Sequence, residues 1–65
     1  MSNKLIEIAC VVKVKTSQAW LILDTQGNEA WIPISKIDDY TENDKGAVIG
    51  VIIPDWLATD KGLIS

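Results

Sequence analysis

The chain has no histidine, no arginine, no phenylalanine and a single cysteine, Cys10. Each absence removes a class of chemistry. Without histidine or a second cysteine, an intramolecular disulfide is impossible, and a structural zinc centre would have to be assembled from carboxylates alone. The lone thiol lies in an apolar alternation with no imidazole to activate it, the setting of a buried, inert cysteine rather than a nucleophile. Arginine, the usual reader of phosphate and bases, is missing, and six lysines stand against nine carboxylates for a net charge of -3. That balance weakens the case for binding a phosphate backbone, where clustered cations supply most of the affinity, and it is too mild to suggest a DNA mimic. The longest apolar run, 47–54, is far short of the roughly 20 residues a membrane helix needs, and the basic-then-apolar layout of a signal peptide is missing. The expectation is a cytoplasmic protein with no membrane partner.

What is present is apolar. Hydrophobic residues make up 48% of 65 positions and charged residues 23%, too apolar for a disordered segment, so one packed domain over 1–65 is expected, near the lower size limit for a core without staples. From Leu5 to Lys15, Ile6, Ile8, Cys10, Val12 and Val14 alternate with Glu7, Lys13 and Lys15, a period of two that predicts a half-buried strand. Ala9 and Val11 interrupt the polar face, so that face is partly covered or the strand bends there between two sheets. Thr16, Ser17 and Gln18 make a tight connection to the next strand.

The centre of the chain, 19–34, carries two apolar segments flanking Asp24-Thr25-Gln26-Gly27. Asp24 can bond the backbone that follows it and Gly27 can turn left-handed, which predicts a type I turn with a glycine bulge. That turn pairs Ile22 with Ala30 and Trp20 with Ile32 on one face, and Leu23 with Glu29 and Leu21 with Trp31 on the other. Both faces then hold large apolar groups, so the hairpin is either covered on both sides or carries a binding surface. Pro33 cannot donate a ladder hydrogen bond, which ends its strand or places it at an edge.

Ser35 with Asp38 three residues later has the spacing of a helix cap and supports one short turn. The stretch 38–46 is acidic and turn-rich and reads as the main loop. A last apolar strand over 47–53 precedes a helix over 55–61, with Asp55 at its positive end, Lys61 at its negative end, Gly62 as C-cap and Leu63 folding back. The fold class is therefore mainly β: a small, strongly bent antiparallel meander or barrel, SH3-like or incomplete OB-like, of four or five strands with a short C-terminal helix. Trp56 and Leu57 are expected to plug an open end of that barrel.

No cluster has the spacing of a catalytic, metal or nucleotide site, and neither an enzyme nor a cofactor is expected. Asp38, Asp39, Glu42 and Asp44 lack the ligand order of a calcium loop. Asp24 and Glu29 both flank a surface turn, which does not split a carboxylate pair into acid and base. The tryptophans are the remaining candidates. Trp20 belongs on the core face, whereas Trp31, with Glu29, Pro33 and Leu21 around it, suits a surface that contacts a protein partner or a second copy of the chain. The alternative occupant is single-stranded nucleic acid, with Lys13, Lys15 and Lys36 forming a basic strip beside Trp31.

The runs Ala30-Trp-Ile-Pro-Ile-Ser-Lys-Ile37 and Ile53-Pro-Asp-Trp-Leu-Ala58, with Lys61-Gly-Leu63, resemble a pattern in short uncharacterised proteins of bacteriophages and prophages. In those proteins a Trp-Ile-Pro-x-Ser segment and a Pro-x-Trp-Leu-Ala helix follow an Ala-Trp-Leu strand. The resemblance covers 10–63 and implies a context, a small accessory protein acting in a bacterial cytoplasm during infection, but no activity and no site residues. The expected function is a non-enzymatic module that binds a protein partner or itself, as a homo-oligomer, through its sheet. A structural or assembly component is a further alternative.

Overall fold

The computed structural model describes residues 4–64. Five strands, β1 (Leu5–Lys15), β2 (Ala19–Asp24), β3 (Glu29–Pro33), β4 (Asp39–Glu42) and β5 (Val48–Pro54), form one antiparallel sheet in the order β3-β2-β1-β5-β4. The sheet does not close on itself: β3 and β4 are its two edges. A 3₁₀ turn, Ile34–Lys36, joins those edges, and helix α1 (Asp55–Asp60) follows β5.

The long strand β1 is the hinge of the architecture. Leu5 to Ala9 pair with β5 and Cys10 to Lys15 pair with β2. The exchange of partners falls at Ala9 and Cys10, where the polar face gives way to apolar residues, so the interruption marks a change of partner strand and not a buried face. Val11 stays 50% exposed.

Ile8 and Cys10 of β1, Ile22 of β2, Ala30 and Ile32 of β3, and Val48, Val51 and Ile53 of β5 form a single core. Helix α1 closes it with Leu57 and Ala58, and Leu63 folds back onto it. The helix ends in a Schellman-type cap, in which Leu63 N–H donates to the Ala58 carbonyl at 2.8 Å and Gly62, at φ 76°, donates to Thr59 at 3.1 Å. Among the described residues no helix is long and apolar enough to cross a membrane.

Four details of the sequence-based reading need correction. The stretch 38–46 is not all loop, because Asp39–Glu42 pairs with β5 as an edge strand whose four residues are all exposed. Edge strands in contact with water need no apolar alternation, so the period that reveals β1 is missing here. The 3₁₀ turn begins two residues early, at Ile34, with Pro33 in place of Ser35 as its cap and no side-chain cap hydrogen bond, so Ser35 lies inside the turn and does not cap it. Trp56 does not plug the fold. It is 47% exposed, because on so short a helix Leu57 and Ala58 take the inward positions and the preceding residue points away. Finally, β1 carries a bulge at Lys13, between the pairs Val12–Ile22 and Val14–Leu21.

Candidate interaction surface

The turn between β2 and β3 sets which side chains share a face. Asp24 is a buried carboxylate whose Oδ1 accepts the N–H groups of Gln26 (2.9 Å) and Asn28 (2.8 Å), while Oδ2 accepts the Asn28 side-chain amide at 3.1 Å. Gly27 takes φ 89°, and its N–H donates to the Asp24 carbonyl at 3.3 Å. The amide of Asn28, above all, holds the Asp24 carboxyl below its ordinary value, against the opposing effect of burial. Asp24 therefore acts as a turn staple, and Glu29, across the turn, is engaged elsewhere.

The resulting pairs are Trp20–Ile32, Leu21–Trp31, Ile22–Ala30 and Leu23–Glu29. Since side chains alternate along a strand and paired residues share a face, Ile22 and Ile32 point into the core, with Trp20 packed against them. Leu21, Leu23, Glu29 and Trp31 lie on the outer face. The bulge in β1 extends this outer face. An extra residue in a strand shifts the alternation by one, so Val14, which a regular strand would send to the core with Val12, stands opposite Leu21 instead. A cross-strand row, Trp31–Leu21–Val14, results, with a second row, Leu23–Val11, beside it. Trp31 is 45% and Val14 43% exposed. Ile49 adjoins Val11 and Leu23 across a shallow apolar groove that Ala9 also lines.

Polar groups frame this patch. Lys13, the bulge residue, on the outer face with Val11, donates from Nζ to Glu29 Oε2 at 2.8 Å. Pro33, exposed and paired with Ala19, ends β3 at the open edge. Trp31, Glu29, Pro33 and Leu21 are thus neighbours on one surface, in the register the turn chemistry predicts.

The three lysines do not gather there. Lys13 is neutralised by Glu29, Lys15 pairs with Trp20 and holds Nζ 4.9 Å from that ring's centroid, and Lys36 lies over Trp56 at 5.8 Å. The basic strip expected beside Trp31 is corrected to three separate engagements, and the bulge is the reason: it places Lys13 and Lys15 on opposite faces.

Cys10 is buried, and burial, reinforced by the charge of Asp24, raises its pKa and keeps it a thiol. Among the described residues no group of three or more histidine, cysteine or acidic side chains is arranged to hold a metal ion. A feature absent from the sequence-based reading is the ring pair Trp20–Tyr40, with centroids 5.4 Å apart and planes at 70°. Its signal was the second hairpin: Asn43-x-x-Gly46 repeats the spacing of Asp24-x-x-Gly27 and would have placed Tyr40 on a strand. Comparison with protein-family models, curated proteins and solved structures finds no match to this chain.

Proposed function

We propose that the chain is a non-enzymatic binding module that engages a protein partner, or a second copy of itself, through the outer face of β1, β2 and β3. The observation that carries this reading is the row Trp31–Leu21–Val14, flanked by Val11, Leu23 and Ile49. A domain this small gains most by burying its large apolar groups, yet here β1 and β3 present Val11, Val14 and Trp31 to water with the half-buried Leu21 and Leu23 of β2 between them. A tryptophan amid aliphatic residues, rimmed by a charge pair and a proline, has the composition of an interface hot spot. The resemblance to short phage proteins supports a role as an accessory protein in a bacterial cytoplasm. Single-stranded nucleic acid is the less favoured occupant, because the lysines it would need are spread over three places.

The test is affinity capture from bacterial lysate with and without nuclease, beside light scattering of the pure protein. Wild type should assemble or retain a nuclease-resistant partner, and Trp31→Ser should lose it while keeping its fold. A Trp31→Ser variant that keeps every assembly and partner overturns the proposal, and capture lost on nuclease treatment transfers the surface to nucleic acid.

A further inference from the structure

The opposite, core-side face of the sheet opens near its edge into a small pocket. Trp20 and Tyr40 stand nearly perpendicular as two walls, Ile34 and Ile37 supply an aliphatic side, and Asp38 and Asp39 complete the lining. The walls are held by backbone. Asp38 N–H donates to the Ile52 carbonyl at 2.8 Å, Ile37 N–H to Ile34 at 3.0 Å, and Asp39 Oδ1 accepts the Tyr40 N–H at 2.8 Å.

We infer that this pocket takes an alkylated ammonium group, such as a methylated lysine head or a small quaternary amine. Three observations converge on that class. Aromatic faces attract cations through their quadrupole, and Trp20 already does so in this fold, with the Lys15 ammonium 4.9 Å from its centroid while Lys15 itself stands outside the pocket lining. The charged side chains of the lining are both carboxylates, which repel an anion and complement a cation. The volume, about 140 Å³, is well below the ~300 Å³ at which drug-sized sites begin and suits a small head group. The Lys15 charge nearby opposes a second cation, so the chain carries its own brake on the site. This site is separate from the Trp31 surface and does not depend on it.

The full chain titrated with choline, followed by two-dimensional N–H spectra, should show saturable shifts at the Trp20 indole and at the Ile37 and Tyr40 amides. Neohexyl alcohol, the neutral isostere, should bind about fivefold more weakly, a cation–π increment of ordinary size. Tyr40→Leu, which keeps an exposed apolar residue and removes the ring, should lose about as much, as should Asp39→Asn. Lys15→Met should bind choline about twofold more tightly. Equal binding of the neutral alcohol, no saturation, shifts centred on Trp31, or unchanged or weaker binding by Lys15→Met would each overturn the inference. An acetylated trimethyl-lysine amide that binds more tightly than choline assigns the group to a peptide, and the reverse order assigns it to a free amine.

Discussion

Trp20 and Trp31 sit in the same hairpin, each after an alanine, and do opposite things. Trp20 lies against the core, edge-on to Tyr40 and under the Lys15 ammonium; Trp31 faces water on the other side of the same sheet. Nothing in their immediate sequence separates them. The difference comes from parity: the turn at Asp24 and Gly27 fixes register, and register assigns each position to a face. A tryptophan in a small domain is therefore structural or available according to a count of residues from the nearest turn.

The sharpest way to break this comparison is to delete each ring. Trp20→Ala should cost about 2–4 kcal/mol, toward the lower end of the range for aromatic truncation because the residue is only partly buried. A domain of this size holds on the order of 3–10 kcal/mol, so urea unfolding should show the loss as a large fall in midpoint. Trp31→Ala should cost about 1 kcal/mol or less, and equal losses would mean that the outer face is packed. Next in size, Gly27→Ala places a side chain at φ 89°, where the left-handed penalty is about 1–2 kcal/mol. Gly46→Ala, at φ 79° in the second hairpin, should cost a similar amount without disturbing the pairing of β2 with β3.

A third measurement concerns pH. Asp24 is held below its ordinary pKa, so it binds a proton less readily when folded than when unfolded. Its contribution is complete above the ordinary aspartate value, about 3.9, and drains away as pH falls through the lowered folded value. Asp24→Asn should flatten that acid limb and, by taking a negative charge away from Cys10, also soften the loss of stability at alkaline pH. The smallest effect belongs to Lys13 and Glu29. Both are about half exposed, so a double-mutant cycle should return roughly 0.2–1 kcal/mol, reduced by salt.

The parts of this fold legible in the sequence are those with a local cause. The β2–β3 register followed from Asp24 and Gly27, the terminal cap from Gly62 and Leu63, and β1 from its period of two. β4 was not legible by period, since Asp39, Tyr40, Thr41 and Glu42 are all exposed and no pattern of burial is written into them. Its turn was legible, because Asn43 Oδ1 accepts the N–H groups of Lys45 (2.8 Å) and Ala47 (3.0 Å) much as Asp24 serves its own hairpin. The bulge at Lys13 had no local signal: Val12-Lys13-Val14-Lys15 reads as perfect alternation, and only pairing with β2 shows the extra residue. Because Val14 and Lys15 change faces there, the surface around Trp31 was legible in β2 and β3 but not in β1.

The strand order also dictates when the molecule can be completed. β1, β2 and β3 are neighbours in the chain and can pair as soon as they exist, whereas Leu5 to Ala9 must wait for partners between Gly50 and Pro54. During synthesis the first half of β1 is thus an apolar strand without a neighbour until β5 has been made. A nascent chain halted before β5 should expose Ile6 and Ile8 and remain sensitive to proteases. Extending it past Pro54 should bring protection in a single step.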